Sequence, residues 1–256
     1  MTTRRSTERE REHNVVRRHK AISAVVAVTL ALAGVWGIRL WQLRHDVGRH
    51  RDYWSLPRGG AGGLVYVALG DSTAQGIGAS SPERGYVGLI AERLRIATGR
   101  PVRVINLSVS GARVHDVVAN QLPKLAGLSA DVVTVAVGAN DIRDYEVDRF
   151  HADVDALIAG LPANAVVADV PWFMHGGTGR RSDQAAAYIE RAAQARNLPF
   201  AGLHDATRRR GWPSMLTDFA VDWFHPRDRG YRVWTAAFWE AMVRSPTFAA
   251  LRLPDS

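Results

Sequence analysis

The chain has 256 residues, 46% hydrophobic and 23% charged, with a formal net charge of +8 and no cysteine. That composition is ordinary for a globular protein and excludes disorder for the bulk of the chain; the lack of thiols excludes disulfides, thiolate nucleophiles and zinc–thiolate sites. Residues 1–20 carry seven Lys/Arg against three Glu and residues 21–63 five Arg against two Asp, whereas the remainder is balanced at 21 against 20. The basic excess therefore lies outside the folded part and gives no footprint for nucleic acid.

Residues 1–20 read as a charged arm. An apolar run follows over 21–38, eighteen residues without a charge. As a helix it would extend ~27 Å, close to the ~30 Å hydrocarbon core of a bilayer. Trp36 and Trp41 flank its far end, where aromatic rings favour the membrane interface. Residues 21–43 are therefore expected to form one transmembrane helix, with the arm inside and the main domain outside, the cell membrane being its location. The rival is a cleaved signal peptide and a secreted domain, because Ala31, Leu32 and Ala33 fit the small-x-small cleavage pattern; a buried core helix is the third reading. Residues 44–63 have the Arg, Pro and Gly content of a linker, which sets the folded domain at 64–256.

Within that domain, LVYVAL (64–69) predicts a buried strand. Apolar residues at helical spacing predict a helix over 86–98, stopped by Gly99. Strands follow at 102–107 and 132–137, the second unbroken in its apolar character as a central parallel strand requires. A helix is predicted over 148–161, a strand over 165–170, a helix over 182–197 with Ser182 as N-cap, a weak strand over 198–203 and a last helix over 226–243. Such alternation predicts an α/β fold with a parallel five-stranded sheet covered on both faces. Function in such sheets collects at the carboxyl ends of strands. That rule selects residues 70–72, 108–111, 138–141 and 171–179.

Ser72, in GDSTAQGIG, follows the first strand, where unpaired backbone N–H groups can face a developing anion. The stretch matches neither the G-x-S-x-G elbow nor a phosphate-binding loop; its plain alternative is a strand-exit turn. A nucleophilic serine needs a base. His225, in VDWFHPRD, has Asp222 three residues before it, the spacing at which a turn lets a carboxylate orient one imidazole nitrogen. An Asp and a His that merely cap the last helix are the alternative. Asn140, in VGANDI, and Gly111, in NLSVSGA, could supply oxyanion donors, though Asn and Gly are also common loop residues.

Together, GDS at 70–72, Gly111, GAND at 138–141 and DWFH at 222–225 resemble the four blocks of the SGNH/GDSL hydrolase family, in order, over roughly residues 64–245. The resemblance implies a three-layer α/β/α, flavodoxin-like fold, preceded here by the N-terminal helix. It implies Ser72 as nucleophile, Asp222 and His225 as the rest of a triad, and an oxyanion hole from the Ser72 and Gly111 N–H groups and Asn140. No cofactor or metal is expected. The expected activity is hydrolysis of carboxylic esters through an acyl-enzyme, on a small-molecule or cell-envelope substrate. The first block reads GDST where the family has GDSL, which leaves the serine in place. Two other readings compete: a non-catalytic exported binding domain on the same fold, and a metal-dependent hydrolase, for which no H-E-x-x-H occurs. The apolar residues of PWFMHGGTG, with Trp223 and Phe224, are candidates to hold an acyl chain or to belong to the core.

Overall fold

A computed structural model describes residues 25–38, 41, 45–60, 62–174 and 176–254. The chain divides into two compact units, Met1–Arg44 and His45–Ser256. In the first, residues 25–38 are helical and their apolar side chains, from Val25 to Ile38, are exposed. Among the described residues no helix is long and apolar enough to cross a membrane. The charged arm and residues 21–24, 39, 40, 42 and 43 of the expected span lie outside the described residues.

The second unit holds one parallel sheet: β1 (Leu64–Gly70), β2 (Val102–Asn106), β3 (Val132–Ala136), β4 (Ala165–Ala168) and β5 (Phe200–Ala201). The strand order is β2-β1-β3-β4-β5, and Tyr66 stands opposite Val104 on one side and Val132 on the other. The helices are α1 (Tyr86–Thr98), α2 (Val114–Asn120), α3 (Leu122–Leu125), α4 (Val147–Gly160), α5 (Gly176–Ala195), α6 (Leu203–Arg210), α7 (Ser214–Thr217) and α8 (Asp228–Arg244). This is the doubly wound order in which the chain reverses direction between β1 and β3, so the crevice opens at the carboxyl ends of those two strands.

Side-chain alternation along β1 splits the core into two layers. Tyr66 and Ala68 join Tyr86, Ile90 and Leu94 of α1 and Trp234, Phe238 and Met242 of α8. Val67 and Leu69 join Val117 of α2, Phe150, Val154 and Leu157 of α4 and Ile189 of α5. The buried positions of α8 recur at three- and four-residue spacing, which explains why an aromatic-rich segment forms a helix here. Tyr86 stacks on Phe238 with ring centroids 5.0 Å apart.

Two expectations need correction. Residues 45–54, read as linker, are helical, and their compact unit starts at His45. Trp54 is buried and donates its indole N–H to the Gln75 carbonyl at 3.1 Å, while Arg58 pairs with Val104 at the sheet edge. Arg and Gly content concealed one buried aromatic anchor. Ser182 is also not an N-cap: α5 begins at Gly176. The Ser182 hydroxyl donates back to the Gly179 carbonyl at 2.8 Å, a local bond that a mid-helix serine can make. Glycine propensity argued against that first turn, but Gly179 is buried where an added Cβ would lie 2.6 Å from the Phe173 carbonyl, so tertiary packing overrides it.

Asp169, just past β4, is buried and accepts the His204 amide at 2.9 Å. Burial, only partly offset by the His204 and Leu203 amides, pushes its carboxyl up to about 8. The folded state thus keeps a proton that the unfolded chain releases above about pH 4. Its contribution to stability is present below that pH and is lost as pH rises toward 8. Asp169→Asn, which keeps an acceptor oxygen and carries no charge, should raise the thermal midpoint more at pH 8 than at pH 5. Equal shifts at both pH values would contradict a buried protonated carboxyl.

Candidate active site

Ser72 leaves the carboxyl end of β1 and is nearly fully buried. The preceding Asp71 accepts both the Thr73 amide (2.9 Å) and the Thr73 hydroxyl (2.7 Å) on one carboxylate oxygen, a local turn that bends the chain out of the strand. Burial pushes the Asp71 carboxyl up, against the pull of the Thr73 donors. Gln121, buried at the end of α2, clamps the last residue of β1. Its amide accepts the Gly70 N–H at 2.9 Å and donates to the Gly70 carbonyl at 2.8 Å.

His225 comes from the far end of the chain and meets this turn. Its Nε2 lies 2.8 Å from Ser72 Oγ, and its Nδ1 lies 2.5 Å from Asp222 Oδ2. The other Asp222 oxygen accepts the Phe224 and His225 amides, each at 3.1 Å. Burial opposes charge on Asp222, but the His225 ring and these two amides outweigh it and hold the carboxyl below its ordinary range. An ionised Asp222 in this position is able to hold the imidazole with Nδ1–H toward it, an arrangement in which Nε2 can accept a proton. Trp223, between them, has φ 58°. A tryptophan in the left-handed region costs about 1–3 kcal/mol, which the carboxylate–amide bonds on either side offset.

Gly111 sits in the loop after β2 with φ 83°. That conformation favours glycine, and there is open space where a Cβ would stand. Among the described residues neither the Ser72 nor the Gly111 N–H meets an acceptor. The Gly111 loop is tied to the serine turn by Gln75, which donates to the Ser108 carbonyl (2.9 Å) and accepts the Ser110 hydroxyl (2.6 Å), and by Asn106, which donates to the Ala74 carbonyl at 2.7 Å. Asn140 follows β3. Its amide nitrogen donates to the Ala112 carbonyl at 3.0 Å and makes a longer contact, 3.4 Å, with Asp71 Oδ2. One of its two donors is firmly held, and the second is held weakly at that distance.

A cleft of about 280 Å³ opens here, lined by Gly111, Arg113, Ala139, Asn140, Arg143 and Phe224. Phe224 stacks on Phe173 (5.9 Å) and meets the His225 ring edge-on (5.1 Å). All five residues singled out in the sequence thus fall at this end of the sheet. Sequence reasoning missed Gln75, Gln121, Arg113 and Arg143. Gln75 lay within the GDSTAQGIG block and could have been suspected; a glutamine ending a helix, like Gln121, carries no signal of its own. The larger groove, about 1220 Å³ at the β5 edge and lined by residues such as Phe200 and Arg244, contains none of these groups.

Solved structures with the same fold include LAE5, an alpha/beta hydrolase enzyme from the metagenome of Lake Arreo, Spain. It is 24% identical, with 71% of this chain and 95% of that chain covered and a TM-score of 0.57. Axe2, an acetylxylan esterase from Geobacillus stearothermophilus, is 21% identical, with 71% and 94% covered and a TM-score of 0.56. Catalytic mutants of Axe2 replace a serine, an aspartate and a histidine, the last two three residues apart. No curated protein matches. The model of the GDSL-like lipase/acylhydrolase family matches residues 68–233, well over half of the chain. With its serine turn, its GAND block and most of the domain inside that match, the chain belongs to the GDSL-like lipase/acylhydrolase family and is a serine hydrolase acting on ester bonds.

Proposed function

We propose that Ser72 is the nucleophile, His225 its general base and acid, and Asp222 the group that orients the imidazole. The observation that carries this reading is the continuous chain Ser72 Oγ to His225 Nε2 at 2.8 Å and His225 Nδ1 to Asp222 Oδ2 at 2.5 Å, beside a cleft that contains Gly111 and Asn140. His225 takes the hydroxyl proton as Ser72 Oγ attacks the ester carbonyl. The oxygen that becomes negative is received by the Ser72 and Gly111 N–H groups and by the weakly held Asn140 donor. Collapse expels the alcohol, which leaves with the proton from His225, and an acyl-Ser72 remains. Water, deprotonated by His225, then releases the carboxylic acid by the same route in reverse.

The substrate in this reading bears a short acyl group. A cleft of about 280 Å³ lies below the ~300–1,000 Å³ of sites that enclose drug-sized ligands. The fold shared with an acetylxylan esterase agrees with acetyl or other short esters. We further infer that the domain acts outside the cytoplasmic membrane, in the cell envelope, held by an N-terminal anchor. The support is the uncharged run over 21–38 and the cationic arm before it.

Ser72→Ala and His225→Ala should each nearly abolish hydrolysis of 4-nitrophenyl acetate with an unmoved thermal midpoint. The double variant should be little worse than either alone, because groups that act as a unit do not lose rate additively; additive losses would sink the shared mechanism. Asn140→Ala should lower kcat by roughly 10²–10³ with KM nearly unchanged, since a donor to the oxyanion acts in the transition state. A lowered midpoint with near-normal kcat would leave Asn140 only its bond to the Ala112 carbonyl. For location, an export-dependent reporter fused after Ser256 should be active, and a reporter active only in the cytoplasm would reverse the topology.

A further inference from the structure

The cleft lined by Gly111, Asn140 and Phe224 has two cationic residues in its wall, Arg113 and Arg143, and hydrolysis of a neutral ester requires neither. Arg113 donates to Asp144 Oδ2 at 2.7 Å, so its charge is compensated. Arg143 makes no ion pair among the described residues. The segment carrying it is held from behind, where the Arg181 guanidinium donates to the Ile142 and Arg143 carbonyls at 3.3 and 2.8 Å.

The acids nearby do not neutralise it. Asp144 serves Arg113, Asp222 serves His225, and Asp116 accepts the Arg113 amide at 2.9 Å and lies 3.2 Å from the His115 ring. Asp141 is buried and accepts the Val114 amide at 3.3 Å, and the cations that act on its carboxyl are Arg113 and His115. Arg143, exposed, is left unpaired among the described residues, in the wall of a small cleft that also holds Gly111 and Asn140. A planar guanidinium recognises carboxylate and phosphate oxygens through paired donors.

We propose that the ester substrate carries an anionic group, a carboxylate or phosphate, and that Arg143 binds it, with Arg113 as the second cation of the cleft. Arg143 is on this view the specificity-determining residue. The inference rests on the catalytic reading of Ser72, because the anion must lie on the molecule whose ester bond reaches that serine. On this proposal the charge sits close to the scissile carbonyl, on its alcohol side or on its acyl side.

The test uses matched pairs. On the alcohol side, 4-acetoxybenzoate is compared with neutral 4-acetoxybenzamide. On the acyl side, the monoanionic 4-nitrophenyl adipate is compared with its neutral methyl ester. The quantity read is the anionic-to-neutral ratio of kcat/KM, compared between proteins so that intrinsic reactivity cancels. Arg143→Gln should lower the ratio about tenfold in one arm, the low end for a charge-assisted contact at a partly open site. Arg143→Lys should recover part of it, and Arg143→Glu should lower it further. Raising the salt should lower the wild-type ratio, because the pair is screened. The arm that responds assigns the anion to the alcohol or the acyl portion. A residue that only supports the loop, or only adds to the field at the oxyanion, would depress both members of a pair together; ratios unchanged in both arms therefore overturn the proposal. The same pairs titrated calorimetrically into Ser72→Ala read the cation without turnover. Preference for the anion there, lost on adding Arg143→Gln, keeps the cation site even if wild-type turnover proves independent of Ser72. Absence of that preference, with Ser72-dependent turnover intact, removes the cation site and keeps the esterase.

Discussion

Everything in the catalytic end depends on a contact between residues 153 positions apart, Ser72 and His225. No local propensity brings them together. Three ties do. Ser80 donates its amide and hydroxyl to the two carboxylate oxygens of Asp228 at 2.7 and 2.8 Å. The buried Tyr231 hydroxyl donates to the Ile77 carbonyl at 2.6 Å. Gly78 lies so close under the histidine loop that an added Cβ would stand 2.4 Å from the Pro226 carbonyl. The first turns of α8 are thus fastened to the loop that follows Ser72, and the aromatic face of α8 is fastened to the sheet below. If Ser72 acts as the proposed nucleophile, its hydrogen-bond geometry tolerates little error, since a misplacement of about 1 Å can cost ~10²-fold in rate.

The polar cost of this end is large and is met locally. Asp71, Gln75, Gln121 and Ser72 are all buried, and buried polar groups are tolerated only when satisfied. Gln121 satisfies both backbone groups of Gly70. Gln75 links three segments, with its side chain on the Gly111 loop and its carbonyl accepting Trp54 and facing His50 at 3.0 Å. The helix at 45–54, outside the family match, therefore supports the turn that presents the serine. The unfavourable φ of Trp223 belongs to the same account: Asp222 spends one carboxylate oxygen on backbone amides and the other on the histidine. One side chain shapes the loop and orients the ring.

Asn140 shows how a donor can be positioned yet remain usable. The Ala112 carbonyl fixes the amide next to Gly111, while the 3.4 Å contact with Asp71 is too long to be strong. In the proposed mechanism an oxyanion between Ser72 and Gly111 would compete with that weak contact, against a carboxyl that burial already keeps from ionising readily. Preorganisation of this kind puts the reorganisation cost into folding instead of the reaction.

By itself the sequence determined the fold class, the five strands to within a few residues, and the residues at the strand ends. These follow from local causes: unbroken apolar runs such as VVTVAV can be satisfied only on both faces of a parallel sheet, and the four blocks sit where such sheets place chemistry. It did not reveal helices α2, α3, α6 and α7, which are only four to eight residues long. Nor did it reveal the helix at 45–54, where one buried Trp54 outweighs a linker-like composition. What only the tertiary structure decided was contact: which of five histidines in the domain reaches Ser72, which glutamines lock the turn, and which arginine in the cleft is left without a carboxylate. Those are properties of long-range packing. A residue's type and spacing state what it can do, but distances of 2.5–2.8 Å between Asp222, His225 and Ser72 exist only after the sheet, its two apolar layers and α8 have closed around them.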